Sequence, residues 1–308
     1  MTPRIALVSA RAARDLDEDL PPLIAAFAAA GAEATVADWD DPQVEWAAFR
    51  LALLRSAWDY PERLPEFLAW AERTAKLTTL LNSPPVLRWN TDKHYLGELA
   101  RAGVPVVPTR FIEPAEHGRR VLERFLREQD TAEWVVKPAV GAGSRDAARY
   151  VRGDERAAGE HIERLLAAGR SVMLQPYLDQ IDVHGESALI YLAGRFSHAV
   201  RKGPLLQRSA SPTSALFAAE HISPRLPAEE ELRVGDRALA ALPFATPLYA
   251  RVDLIPFAGG QPCVLELELT EPSLFFAQTP AAAARFARSC IELTRCPCNR
   301  ILMIPSPP

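Results

Sequence analysis

Hydrophobic positions in the first part of this chain come as short apolar runs separated by stretches of helical period. Ile5 to Ala10, Ala34 to Trp39 and Leu51 to Arg55 are the runs; Asp15 to Ala30, closed by Gly31, and Glu62 to Lys76 carry the helical spacing. Strands alternating with helices predict a parallel wound sheet, in which ligands gather beyond the carboxyl ends of the strands. That rule marks Arg55, Ser56 and Asp59, at and just after the end of the third run, as candidates for contact with a substrate. Arg55 either holds a substrate carboxylate in a bidentate fork or forms an ion pair with Asp59 or another acid. Trp58 and Tyr60 are read as packing residues. The adjacent Pro84 and Pro85 set a boundary, giving a first unit over residues 1–85.

The pattern then changes. Thr91 or Asp92 caps a helix that runs to Ala102, Val104 to Thr109 is extended, and Val121 to Gln129 is helical. Trp134 to Pro138 is a strand that opens into a glycine-rich segment, Ala139 to Arg145. Backbone N–H groups of such a loop can wrap phosphates, although the segment lacks the Lys-Ser/Thr of a Walker loop. A helix from Glu155 to Ala168 precedes a strand, Val172 to Tyr177, and Asp182, Gly185 and Glu186 follow. A hairpin, Ala188 to Leu192 and Phe196 to Val200, delivers Arg201 and Lys202. Gly203 to Arg225 reads as one long loop of the lid type, and Glu229 to Ala241 as a helix. The second and third units are therefore 86–171 and 172–308.

The last hairpin carries the clearest chemistry. Strands Tyr249 to Ile255 and Cys263 to Thr270 flank Gly259-Gly260, and the alternation of faces puts Leu265, Leu267 and Leu269 on one side and Glu266, Glu268 and Thr270 on the other. A turn symmetric about the two glycines sets Asp253 across from Glu266, with Arg251 on the same face. Carboxylates crowded on one face repel, so a cation is expected among them. Hard oxygen ligands without His or Cys suit magnesium that shares its coordination with phosphates. The competing reading is a hydrated outer face.

Composition narrows the field. Lys and Arg number 35 against 39 Asp and Glu, a net charge of −4, which gives no electrostatic basis for a nucleic-acid or anionic-membrane partner. The start lacks a signal-peptide pattern and no apolar run has membrane length, so a cytoplasmic protein is expected. Four cysteines are too few for a disulfide framework, and Cys290, Cys296 and Cys298 lack the second ligand pair of a zinc site. No histidine has a Ser or Cys setting that suggests a triad. Val8 to Arg11 lacks the glycines of a nicotinamide-binding turn, which argues against an oxidoreductase.

Taken in order, Lys93, Lys137, Gln175-Pro176-Tyr177, Gly185-Glu186, Arg201-Lys202, Asp253 and Glu266-Leu267-Glu268 resemble the ATP-grasp superfamily, in its glutathione synthetase-like branch. The resemblance implies an α/β (α+β) ATP-grasp fold with an N-terminal Rossmann-like domain on the substrate side. It implies that Lys93 and Lys137 contact nucleotide phosphates under a loop containing Gly141, Gly143 and Ser144. Gln175, Pro176 and Tyr177 would flank adenine, Asp182 or Glu186 the ribose, and Asp253, Glu266 and Glu268 two magnesium ions. Arg251, or Arg201 with Lys202, would steady an acyl phosphate. The branch's metal strand reads Glu-x-Asn-x-Thr-Ser-Pro; here Glu268 stands for the Asn, and Glu271 for a small residue beside the substrate. The phrases Arg55 to Tyr60 and Arg88 to Lys93 are similar to the O-ureido-serine cyclo-ligases of that branch. The implied activity is ATP-dependent carboxylate–amine ligation of a small amino-acid-like substrate, by ring closure or between two molecules. A catalytically silent ATP-binding module is the alternative from another class, and the resemblance allows a homo-oligomer.

Overall fold

The computed structural model describes residues 2–208 and 221–295. β1 (Arg4–Ser9), α1 (Leu20–Ala29), β2 (Glu33–Asp38), β3 (Leu51–Ser56), α2 (Leu64–Thr74) and β4 (Thr79–Leu81) build an all-parallel sheet in the order β2-β1-β3-β4. The central strands β1 and β3 are apolar and buried almost throughout, as strands covered on both faces must be, whereas the edge strand β2 alternates in exposure. α1 starts later than its hydrophobic period suggests, because Pro21 and Pro22 fit only its first turn. The same rule recasts the Pro84-Pro85 pair, which opens α3 (Pro84–Asn90) and does not merely end the preceding unit.

α4 (Tyr95–Arg101), β5 (Arg110–Ile112), α5 (Gly118–Gln129), β6 (Glu133–Pro138), β7 (Ala148–Val151), α6 (Glu155–Ala167) and β8 (Val172–Pro176) follow. Their strands form an antiparallel sheet, β5-β8-β6-β7, and α5 and α6 pack against it through Leu122, Phe125, Ile162 and Leu165. The third sheet contains β9 (Glu186–Leu192), β10 (Arg195–Lys202), β11 (Ile222–Arg225), β12 (Tyr249–Pro256) and β13 (Pro262–Glu268), ordered β11-β10-β9-β12-β13 and antiparallel throughout. α7 (Gln180–His184) precedes it, α8 (Glu229–Ala240) packs on it and α9 (Pro280–Arg295) lies against α1. No described helix is long and apolar enough to cross a membrane.

Two expectations change, and a third falls outside the described residues. The stretch read as one loop ends in strand β11, whose backbone is paired along β10; residues 209–220 lie outside the described residues. Cys296, Cys298 and the tail also lie outside them, while Cys290 is fully buried beneath α1. On the acidic hairpin, the register matches the symmetric expectation at Arg251↔Glu268 and Asp253↔Glu266, then slips by one residue at Leu254↔Val264. Leu265 is the extra residue of this bulge. It packs with Ile181, Ile255 and Cys263 and not beside Leu267 and Leu269, which share a core with Val264. The bulge resets the alternation that a regular strand would keep.

The N-terminal sheet shares one core with the third sheet and α9: Ile5, Leu7, Leu51 and Leu53 pack with Ile190, Val200, Tyr249 and Phe286. Polar clamps join the same parts. Asp19, almost fully buried, accepts hydrogen bonds from the backbone N–H of Leu274 (2.6 Å) and Phe276 (2.7 Å) and pairs with Arg55 at 3.0 Å. Asn82 donates to the carbonyls of Tyr249 and Leu269. Replacing Asp19 by Ala leaves the Arg55 charge buried without its acid and orphans two amides. The expected cost is about 3–5 kcal/mol of stability, read as a lower urea midpoint with an unchanged m-value.

Candidate active site

A deep cleft opens where the three sheets meet. Its charged and polar groups come from β13, from Asn90 at the end of α3, from Lys93 between α3 and α4, and from the glycine loop, and its apolar lining from Val135, Leu178, Ile181, Leu206, Ile255 and Leu265. Successive charged positions of β12 and β13 reach it because strand period keeps Arg251, Glu266 and Glu268 on one face.

The charges are arranged in pairs. Lys93 Nζ lies 3.0 Å from Glu266 Oε1 and donates to the Gly141 carbonyl at 2.7 Å, so one ammonium ties the hairpin to the glycine loop. Arg251 grips Asp253 with Nε and Nη2 (2.8 and 2.9 Å) and also reaches Glu268. Lys202 bridges Glu186 and Asp253, each at 3.0 Å. Lys137 lines the same space and makes no ion pair among the described residues.

These neighbours set the protonation states. Burial works against the Lys93 charge, but Glu266, Glu268 and Glu271 outweigh it and its pKa rises. Lys137 is shifted down, by burial first and then by Lys93 and Lys202, although Glu266 pulls the other way. Burial raises Glu266 and Asp253, yet Lys93 and Lys137 hold the first below its usual range and Arg251 and Lys202 hold the second. Glu268 is pushed up to about 7, by burial and by the Glu266 and Asp253 charges that Arg251 only partly offsets. The cleft thus combines ammonium groups able to meet an anion with carboxylates able to meet a hard cation. A triphosphate accompanied by magnesium has both requirements.

The glycine loop is shaped for backbone contact. Gly143 and Ser144 have φ near +60° (61° and 59°), and Arg145 reaches from the loop to Glu62 of the N-terminal sheet's unit. Gly185 has its own constraint: a Cβ there would lie 2.2 Å from the Lys202 carbonyl, so only glycine lets the chain cross β10 and place Glu186 beside Lys202.

Several expected site residues stand elsewhere. Arg201 and Lys202 are neighbours on β10 and so point to opposite faces; Lys202 enters the cleft, while Arg201 donates to the carbonyls of His184 and Val183. Asp182 does not line the cleft and is held by Arg149 and by the Tyr177 hydroxyl, with the Arg149 guanidinium 3.4 Å from the centre of the Tyr177 ring. Gln175 turns its side chain inward to Thr109 at 2.8 Å, leaving its backbone, Pro176 and Tyr177 at the cleft. Arg55 is enclosed by Asp19 and the Pro272 carbonyl, the ion-pair reading, with Asp19 and not Asp59 as the acid. Ser56 bonds Ser9 at 2.8 Å, and Asp59 accepts from Trp39 Nε1 at 2.8 Å. Asp253 lies behind Arg251 and Lys202, outside the lining.

Trp58 and Tyr60 pack as read from sequence, Tyr60 stacked on Phe67 of α2 with ring centroids 5.2 Å apart, and in addition both line the cleft. Asn90 also borders it and braces β13, accepting from the Leu269 and Thr270 amides and donating to the Leu267 carbonyl. An apolar run directly before Trp58 and the capping phrase before Lys93 were the available signals. Arg149 gave none, because its partners Glu133 and Asp182 are distant in sequence.

The chain resembles known proteins over nearly its whole length. Residues 5–82 match the model of the D-cycloserine synthetase DcsG N-terminal domain. The cycloserine biosynthesis protein DcsG of Streptomyces lavendulae is 40% identical over 297 residues, 94% of this chain and 98% of the relative. The crystal structure of D-cycloserine synthetase DcsG superposes with a TM-score of 0.89 at 38% identity, covering 95% of this chain and 100% of that one. D-Alanine–D-alanine ligase from Bacillus anthracis superposes at 0.67 with 17% identity, over 96% and 97% of the two chains, a likeness of fold.

Proposed function

Because the chain belongs to the D-cycloserine synthetase family and has the ATP-grasp fold, we propose that it closes a ring within one amino-acid molecule, converting O-ureido-serine to cycloserine. It is an ATP-dependent ligase that joins a carboxylate to a nitrogen. The observation that carries the ring-closing reading is the origin of the cleft wall. The two phrases shared with cyclo-ligases supply Trp58 with Tyr60 and Asn90 with Lys93, facing Glu266 and Glu268. Residues 1–85 then form the substrate side, 86–171 the lobe with the glycine loop, and 172–308 the lobe with the acidic hairpin.

Adenine lies against the apolar lining beside Gln175, Pro176 and Tyr177, with Glu186 the nearer acid for the ribose. Lys93, Lys137 and the backbone of Gly141, Gly143 and Ser144 bind the phosphates. The residues suit magnesium: Glu266 and Glu268 present hard oxygens in the cleft, and Glu268, raised to about 7 by burial first and then by its carboxylate neighbours, is a group that a dication would hold ionised. Two ions would share Glu266 and Glu268, with Asp253 the least accessible of the three carboxylates. Magnesium, when bound, neutralises the charge of the transferring phosphoryl group.

The substrate carboxylate attacks the terminal phosphorus of ATP, the bond to the bridging oxygen of ADP breaks, and an acyl phosphate forms. Arg251 then lies beside the developing oxyanion, worth more in a closed cleft than in water. The oxygen-linked nitrogen of the same molecule attacks the acyl carbon and gives up its proton as phosphate leaves; water then cleaves the bond from the ring nitrogen to the carbamoyl carbon, returning a proton to the ring nitrogen and releasing carbamic acid, which breaks down to carbon dioxide and ammonia. No side chain acts as a nucleophile.

Incubation with O-ureido-D-serine, ATP and magnesium should release ADP and cycloserine in equal amounts without any second amine, followed by mass spectrometry. ADP release that begins only when a second amino acid is added would replace ring closure by intermolecular ligation.

A further inference from the structure

Glu271 follows β13 by three positions, lines the cleft and is 7% exposed. Its backbone carbonyl accepts from Trp58 Nε1 at 3.4 Å, which anchors it to the substrate-side unit. Its carboxyl is different: Oε2 is buried and has no hydrogen-bond partner among the described residues. The other cleft carboxylates are ion-paired, Glu266 with Lys93, Glu268 with Arg251 and Glu186 with Lys202. A buried carboxyl left unmatched is unfavourable, and it becomes favourable when a charged donor arrives.

We propose that Glu271 receives the α-ammonium group of the substrate, so that a free α-amine is a condition of turnover; this rests on the amino-acid ligase reading above. Connectivity supports the position. An α-nitrogen is joined to its carboxyl carbon through one atom, by two bonds of about 1.5 Å each. A carboxylate presented to the phosphoryl group beside Glu266 and Glu268 therefore brings its amine to the next acid along the strand's exit. Trp58, beside Glu271, and Tyr60 also line the cleft, and aromatic rings offer a favourable face for a cation. Burial first, and then the Glu268 and Glu266 charges, push the Glu271 carboxyl well up against the pull of Lys93 and Arg251.

The test uses ADP release by the wild type and Glu271→Gln with two acids: O-ureido-D-serine, and its analogue in which hydrogen replaces the α-amino group. The wild type should show a KM about 100-fold higher for the analogue. Glu271→Gln should raise KM for O-ureido-D-serine by a similar factor while treating the analogue as the wild type does, with the ATP KM and magnesium half-saturation little changed. A variant that keeps the wild-type preference overturns the proposal, as does a shifted magnesium requirement with the preference intact, which would make Glu271 a metal ligand. The wild-type comparison needs no variant, so an enzyme that accepts both acids equally overturns it even if Glu271→Gln fails to fold. A wild type that releases no ADP with O-ureido-D-serine instead defeats the ring-closure reading.

Discussion

Glu266→Gln lowers kcat by about 10³-fold or more, while its melting temperature stays close to that of the wild type. The two outcomes separate because Glu266 stands in two opposed relations. It pairs with Lys93 at 3.0 Å, and it raises the pKa of Glu268 by repulsion. Losing the charge weakens the first and relieves the second, so the folded state changes little; Lys93 also retains Glu268 and Glu271 as nearby acids. The phosphoryl-transfer geometry has no such compensation, since a neutral amide is a poor ligand for a hard dication. The measurement is single-turnover ADP formation across a magnesium titration, beside a thermal melt. Normal turnover in the variant would move the metal site away from β13.

Lys137→Met has the reverse profile on stability. The ammonium is disfavoured by burial and by Lys93 and Lys202, and it makes no ion pair among the described residues. Removing it while keeping the stem should leave the fold equally or more stable, because a partly desolvated, weakly compensated charge has been deleted. With Lys137 on the phosphates as proposed, its loss removes a charge-assisted contact of about 1.5–3 kcal/mol, so KM for ATP should rise about 10- to 100-fold with a smaller change in KM for the acid. Direct ATP titration by calorimetry checks the binding step. Unaltered ATP affinity would mean that the glycine loop and its lysine do not receive the phosphates.

The acidic hairpin was legible because its information is local. Alternation put Arg251, Glu266 and Glu268 on one face, and two glycines fixed a turn that set Asp253 against Glu266. The same alternation argues against a shared role for Arg201 and Lys202, since neighbours on a strand cannot both face one cleft. What could not be read were the bulge at Leu265 and the long-range clamps. A bulge has no strong residue signature; Arg55 meets Asp19 only once the N-terminal unit has folded, and Asn90–Leu267 and Arg149–Asp182 meet only when separate units pack. The N-terminal sheet was visible as apolar runs, but its sharing of a core with β9, β10 and β12 was not, because apolar faces do not name their partners.

Asp19 accepts from the amides of Leu274 and Phe276, which lie more than 250 positions further along the chain (255 and 257). Chimeras that graft a foreign front portion onto this enzyme will therefore inherit a mismatched seam unless the 271–276 strip travels with it. Donor and recipient must be swapped as an interlocked pair of segments, which makes substrate preference in such hybrids a property of two distant stretches that have to coevolve.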